Sequence, residues 1–253
     1  MKIIAVIPAR AGSQRVPGKN LRALNGHPLL AYSIAHAQQV GCCDAILVSS
    51  EDDATCRVAQ DYGAAVCVRP LAYSQADSPD RDWLRHLAHE VEAAPDDLFV
   101  LLRPTSPFRS ARWIREALQA FMKPGQPHDS VRSLRRVTEH PGKMWQLIRA
   151  SDDLISPLCH YTTAIGVPWH SSPTQALPVV YVQTSALEIG RFRNILEDGT
   201  LHGRTVGALF GCWPEDFAID TEHDWQEAER LAAAHPEFLP SVCMAPLSAA
   251  ARP

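Results

Sequence analysis

No apolar stretch in this chain of 253 residues reaches the roughly eighteen that a membrane-spanning helix needs, and the start MKIIAVIPAR is too short an apolar run for a signal peptide. No block of like charges occurs either. The 24 Lys and Arg stand against 28 Asp and Glu for a formal charge of −4, which argues against a nucleic-acid groove or a polybasic membrane anchor and leaves a small molecule as the expected partner. The seven cysteines, an odd count, form no CxxC pair and no Cys/His ladder, so they read as reduced, buried thiols. None of the eleven histidines shows HxxxH or HExxH spacing, and His140, His160 and His170 read as loop and interface residues. The expectation is a cytoplasmic protein whose 46% apolar share builds a core without staples.

What is present is alternation. Ile3 to Ile7 is an apolar run that leads into the punctuated stretch PARAGSQRVPGKN, a buried strand followed by a long loop. Pro28 to Gln39 opens with an early proline and carries Leu29, Leu30, Ser33, Ile34 and Ala37 at helical spacing. Strands then follow at Ala45 to Val48, Ala65 to Val68 and Leu98 to Leu102, with helices at Glu51 to Tyr62, Asp80 to Ala93 and Ser110 to Met122. Four strand-then-helix units imply an α/β fold whose mostly parallel sheet is covered on both faces.

Helical periodicity fails from Thr138 to Ala176, where Pro and His are frequent, so residues 138–176 read as an inserted subdomain between parts 1–137 and 177–235 of the main domain. Beyond it the pattern predicts a strand at Val179 to Val182, a helix at Ser185 to Asn194, strands at Thr205 to Phe210 and Phe217 to Asp220, and a helix from Glu222 to Ala234. Residues 236–253 form a Pro- and Ala-rich tail expected to pack loosely.

Ligands of open parallel sheets bind at the carboxyl ends of the strands, which nominates the loops 8–20, 69–80 and 103–109 and the neighbourhood of Asp220. In the first of these, Gly12, Ser13 and Gly18 permit close backbone approach while Arg10, Arg15 and Lys19 supply three cations, a composition suited to a polyphosphate. The loop is neither GxxxxGK[ST] nor GxGxxG, so both standard nucleotide motifs are excluded.

The loop PARAGSQRVPGKN, the pair Arg69-Pro70, LLRPTSPFR at 101–109, HPGK at 140–143 and AIDTEHDW at 218–225 together resemble the acylneuraminate cytidylyltransferase family, the CMP-sialic acid synthetases and their relatives, over residues 1 to about 233. The resemblance implies a Rossmann-like, GT-A-like nucleotidyltransferase fold with an inserted dimerisation subdomain. It also implies binding of CTP with Mg²⁺, and attack of the anomeric hydroxyl of an acidic sugar on the α-phosphate. By position, Ala9, Arg10, Gly12, Ser13, Arg15, Lys19, Asn20, Arg69 and Ser106 would bind nucleotide, with Arg10, Lys19 and Asp220 catalytic. Arg69 would read the O2 and N3 acceptors of cytosine. Arg103, Lys143, Gln183 and Glu188 would meet the acceptor, Asp220 would hold the metal, and a homodimer would close the site. Arg109 is open between a sheet-edge cap and a ligand contact.

The chain also departs from that pattern. Family members write Asp-Ile-Asp where this chain has Ala218-Ile219-Asp220. On a straight strand Asp216 would lie about 13 Å from Asp220, so Asp220 is expected to serve alone, with phosphate oxygens and waters completing the shell. Asp224 reads as part of a capping box with Thr221. On the acceptor side, Arg103 stands where sialic acid enzymes commonly have Gln, Thr174 where they have Arg, and Thr184-Ser185 where they have Asn-Gly. Three readings follow: CMP transfer to a sialic-acid-like nonulosonic acid, CMP transfer to a phosphonate, and a non-catalytic nucleotide binder.

Overall fold

The computed structural model describes residues 1–149, 151 and 153–243. The chain divides into two compact units, Met1–Ser133 with the chain from Thr184 onward, and Leu134–Gln183. In chain order the first unit begins β1 (Ile3–Pro8), β2 (Ala23–Leu24), β3 (His27–Pro28), α1 (Leu29–Val40), β4 (Ala45–Ser50), α2 (Asp53–Asp61), β5 (Ala65–Val68), α3 (Asp80–Glu90), β6 (Leu98–Leu101) and α4 (Ala111–Phe121). Then β7 (Ser130–Arg136) leads out to the second unit, which contains β8 (Trp145–Arg149) and β9 (Leu154–Pro157), and β10 (Tyr181–Arg191) leads back. α5 (Phe192–Leu196), β11 (Val206–Phe210) and α6 (Glu222–Ala234) complete the first unit.

Seven strands form its sheet in the order β11-β7-β10-β6-β1-β4-β5, with β6, β1, β4 and β5 parallel and β10 antiparallel to β6. β1 explains why the strand signals are continuous apolar runs. Ile3, Ala5 and Ile7 join the cluster that contains Leu30 and Ile34 of α1 and Ile114 and Leu118 of α4, while Ile4 and Val6 join Trp83, Leu84 and Leu87 of α3 and Phe192 of α5. Successive residues of one strand thus serve opposite faces, and both faces are covered. A third cluster joins Val16, Leu24 and Phe108 to Ile219 and Trp225, which anchors the glycine- and cation-rich loop against α6. Three of the helices, α2, α4 and α6, start where short polar side chains cap them: Asp52 accepts from Thr55 N, Ser110 from Trp113 N, and Thr221 with Asp224 closes a capping box at α6.

The region after Ser130 departs from expectation. The helix expected at Ser185 to Asn194 is mostly strand: β10 runs eleven residues to Arg191, and only Phe192–Leu196 is helical. Ala186, Leu187 and Ile189 suit either period, and the open edge of β6 decides the outcome by offering them a ladder. The short strand expected at Phe217 to Asp220 joins no sheet. That segment is pinned by Ile219 N, which donates to Thr105 O at 2.8 Å, and the straight-strand separation of Asp216 from Asp220 no longer applies. β7, rich in Arg, carried no strand signal at all.

In the second unit β8 and β9 pair antiparallel, and short 3₁₀ turns lie at Pro141–Lys143, Trp169–Ser171 and Thr174–Ala176. The Tyr161 and Trp169 rings lie 4.8 Å apart and the Trp145 and His170 rings 5.0 Å apart. Most of the expected tail, residues 244–253, lies outside the described residues. Among the described residues no helix is long and apolar enough to cross a membrane.

Candidate active site

At the carboxyl end of β1 the chain enters the loop 8–20. Ala9 N donates to Ser49 O at 3.0 Å, and the buried Asn20 side chain donates to Arg10 O at 2.9 Å, so the two ends of the loop are tied together. Val16 is buried and Gly18 takes a φ of +63°, which favours glycine. This frame projects Arg10, Arg15 and Lys19 into a cleft of about 280 Å³. Arg10 Nη1 donates to Gln75 O at 2.7 Å, and Lys19 Nζ to Ile219 O at 2.8 Å. Burial lowers the pKa of Lys19, a pull that the nearby Asp220 carboxylate only partly offsets.

The charged lining of the cleft is Arg10, Arg15, Lys19, Arg69 and Arg103 with Asp80 and Asp220, five cations less two anions, or +3. Two of those cations are already paired. Arg15 Nη2 meets Asp220 Oδ1 at 2.9 Å and Arg103 Nη2 meets Asp80 Oδ2 at 2.8 Å, which leaves Arg10, Lys19 and Arg69 without ion pairs among the described residues. A larger depression of about 750 Å³ with Trp113, Phe210, Trp213 and Phe238 on its walls contains none of the expected site residues. The smaller cleft is the candidate site, because it gathers the cations at the strand ends.

Arg69 follows β5 and is 4% exposed. Its Nε donates to Ser49 Oγ and its Nη2 to Ser49 O, each at 3.1 Å, and its guanidinium lies 4.7 Å from the centre of the Trp83 ring. Burial lowers its pKa to about 10, while Glu51 and Asp80 act in the opposite direction. Two bonds and a stacking face fix the plane of the fork and leave Nη1 for a ligand.

The expected acceptor residues are arranged differently from expectation. Arg103 Nη2 donates to both Asp80 Oδ2 and Glu188 Oε1, at 2.8 and 3.0 Å, so its fork is taken by the protein's own carboxylates. Burial works against its charge, yet Asp80 and Glu188 outweigh that and hold its pKa above the usual value. Glu188 is a 3% exposed strand residue facing Leu101 of β6 and not a helix residue, and its Oε2 lies 3.2 Å from Arg132 Nε. Lys143 belongs to the second unit, where it donates to the carbonyls of His170 and Ser172, and Gln183 is that unit's last residue.

Within the proline-fixed rim, Thr105 lines the cleft but Ser106 does not. Its hydroxyl is wholly buried, because the turn at 103–106 rotates it inward, and this corrects its expected place beside nucleotide. Ala9 is likewise buried and Gly12 lies outside the lining, whereas Ser13 and Asn20 belong to it. Arg109 is structural: wholly buried, it donates to the carbonyls of Arg103 and Ala186 and to Ser33 Oγ.

A family profile described as cytidylyltransferase matches residues 4–153. The chain belongs to the cytidylyltransferase family. CMP-N,N'-diacetyllegionaminic acid synthase of Legionella pneumophila is 32% identical over 247 residues, which cover 94% of this chain and 100% of that protein. N-acylneuraminate cytidylyltransferase of Escherichia coli is 36% identical over 155 residues, 60% of this chain and 35% of that longer protein. The solved structure of CMP:2-keto-3-deoxy-manno-octonic acid synthetase complexed with CTP has the same fold, at a TM-score of 0.66 and 17% identity over 93% of this chain and 100% of that one. This cytidylyltransferase is thus a nucleotidyltransferase that uses CTP.

The donor set of the cytidylyltransferase fits a hard divalent cation, with one carboxylate to offer. Asp220 is 47% exposed at the cleft, and its partner Arg15 is 69% exposed, so the pair is weak and readily parted. Asp224 is not available for the role, since its Oδ2 accepts from Asp220 N, Thr221 N and Thr221 Oγ1 within the capping box. Among the described residues no cluster of three or more His, Cys, Asp or Glu could hold a metal ion. Asp80, Trp83 and Arg132 carry no motif of their own, and Arg69, Arg103 and Glu188, which they meet, stand on other elements of the fold.

Proposed function

We propose that this cytidylyltransferase transfers CMP from CTP to the anomeric hydroxyl of a nonulosonic acid of the sialic and legionaminic type. The acceptor hydroxyl gives up its proton to solvent as its oxygen forms a bond to the α-phosphorus, the bond from that phosphorus to the α,β-bridging oxygen breaks, and pyrophosphate leaves. One observation carries the nucleotide half: three cations without carboxylate partners, Arg10, Lys19 and Arg69, line a single cleft at the strand ends. A triphosphate supplies the missing negative charge, and phosphoryl transfer depends mainly on such preorganised charge. Lys19 and Arg10 neutralise the phosphates, while Arg69 offers Nη1 to the acceptor atoms of cytosine. The acceptor half rests on the likeness to the legionaminic acid enzyme, which spans that protein's whole length.

Mg²⁺ is the cofactor this reading requires, held by Asp220 and supplying charge neutralisation at the phosphates. With Asp220 so engaged, Arg15 would be free to face the triphosphate. The protein acts as a homodimer through its second unit, a reading supported by the exposed Trp145, Leu147, Ile148, Leu154 and Ile155 of β8 and β9. The free cysteines fit the reducing cytoplasm. Pyrophosphate release from CTP, screened with N-acetylneuraminate, N,N'-diacetyllegionaminate, Kdo and aminoethylphosphonate, tests the assignment. Activity with nonulosonates is expected, and activity with the phosphonate alone would replace the acceptor while keeping the chemistry.

A further inference from the structure

One acidic side chain touches both ends of the cleft. Asp80 opens α3, where a carboxylate is favoured by the helix N-terminus alone. It does more than that here. Its Oδ1 accepts from the indole Nε1 of Trp83 at 2.7 Å, and its Oδ2 accepts from Arg103 at 2.8 Å. Trp83, 2% exposed, is the ring that underlies Arg69. Arg103 in turn holds Glu188, which is also held by Arg132. A continuous path therefore runs Ser49, Arg69, Trp83, Asp80, Arg103, Glu188, all within the first unit.

We propose that Asp80 is a positioning residue for both substrates: through Trp83 it sets the plane in which Arg69 reads the base, and through Arg103 it sets the buried carboxylate of Glu188 on the acceptor side. The proposal rests on the reading that CTP occupies this cleft.

The base side follows from donor and acceptor inventory. Cytosine presents N3 and O2 as adjacent acceptors, whereas uracil has a donor at N3. An arginine held in one plane therefore favours cytosine, because a fixed N–H facing the uracil N3–H meets another donor. A loosened arginine can rotate to reach a uracil carbonyl instead, and selection is lost. Trp83 can hold that plane only if its own ring is held, and its one hydrogen bond is to Asp80. On the acceptor side, Arg103 is locked between two carboxylates, and removal of one lets its fork swing into the cleft. Burial would raise the Asp80 pKa, but Arg103 and Trp83 keep its carboxyl below the usual range, so it remains a charged acceptor at neutral pH.

Three substitutions separate this role from that of an ordinary helix-end acid. Asp80→Ala deletes both contacts. Asp80→Asn keeps an amide oxygen for Trp83 but removes the charge facing Arg103. Trp83→Phe keeps a ring under Arg69 and deletes the indole donor, and it tests the base side even where Asp80→Ala folds poorly. Calorimetric titration with CTP and with UTP should show Asp80→Ala and Trp83→Phe each losing about tenfold in CTP-over-UTP preference, the scale of one hydrogen bond to a charged group, with Asp80→Asn restoring it. Pyrophosphate-release kinetics should show the acceptor KM raised in Asp80→Ala and Asp80→Asn and unchanged in Trp83→Phe. A CTP-over-UTP preference unaltered in Asp80→Ala and Trp83→Phe, with circular dichroism as for the unmutated chain, would overturn the proposal and leave the cytidylyltransferase reading standing. Equal binding of CTP and UTP by the unmutated chain would overturn the base assignment beneath it.

Discussion

The two ends of the cleft carry arginines in opposite states. At the nucleotide end Arg10, Lys19 and Arg69 have no ion pair among the described residues and lean on carbonyl and hydroxyl oxygens, while at the acceptor end Arg103 sits between Asp80 and Glu188, and Glu188 sits between Arg103 and Arg132. A cation left without a counter-charge in a partly buried cleft is destabilising until an anion arrives. A cation already paired is part of the scaffold, and its removal strands a buried carboxylate. On the function proposed above, the difference separates groups that await the triphosphate from groups that shape the cavity. It also bears on Arg103, which the resemblance puts at the acceptor and whose fork is held here by Asp80 and Glu188.

The largest effects should come from the nucleotide end. Lys19→Ala and Asp220→Asn should each reduce turnover by about 10²–10³-fold, the range seen when a preorganised electrostatic contact is deleted, with circular dichroism unchanged. Arg69→Ala should weaken CTP binding by roughly ten- to a hundredfold, as expected for a lost charge-assisted hydrogen bond, without creating a preference for ATP, and calorimetry checks this. The acceptor end should respond in stability. Arg103→Gln should lower the unfolding free energy by about 1–3 kcal/mol, because Asp80 and the buried Glu188 both lose their ion pair with Arg103, whereas Arg10→Ala should leave the thermal midpoint unchanged or raised. Equal loss of stability at both ends would dissolve the distinction.

The smallest expected effect concerns protons. Lys19 in the free protein has a pKa lowered by burial, so its ammonium is lost at lower pH than that of an ordinary lysine. Triphosphate favours the charged form and raises that pKa again. Binding of CTP in the alkaline range should therefore take up a fraction of a proton, seen as a dependence of the calorimetric heat on the buffer's ionisation enthalpy. Lys19→Gln should abolish that dependence, and release of protons on binding would contradict the sign.

Much of the first unit was legible in the sequence, and for a physical reason. Parallel strands buried on both faces, such as Ile3–Pro8 and Leu98–Leu101, are local apolar runs, and three of the helices carry their own capping residues, Asp52, Ser110 and Thr221. The cation-rich loop was legible too, because its glycines and charges lie within thirteen residues, 8–20. What stayed hidden depends on partners far along the chain. Glu188 looks like a surface residue until its neighbours at 103 and 132 are known, and Asp80 looks like a helix-end acid until Trp83 and Arg103 close on it. The strand Ser130–Arg136 offers three arginines and two serines around Val131 and Leu134, and only the seat between β11 and β10 makes it a strand. Ser106 was misplaced because a Thr-Ser pair gives no sign of which hydroxyl faces out, and the fold turns Thr105 outward.

The central claim is that the unpaired cations, and not Arg103 between its two carboxylates, receive the nucleotide. Titration of CTP with Mg²⁺ into the unmutated chain, Lys19→Ala and Arg103→Gln tests it directly. Affinity should fall by about tenfold or more in Lys19→Ala, as for one charge-assisted contact, and stay within a factor of about two in Arg103→Gln, a change of only ~0.4 kcal/mol. An equal loss in both variants, or a loss confined to Arg103→Gln, would contradict the account.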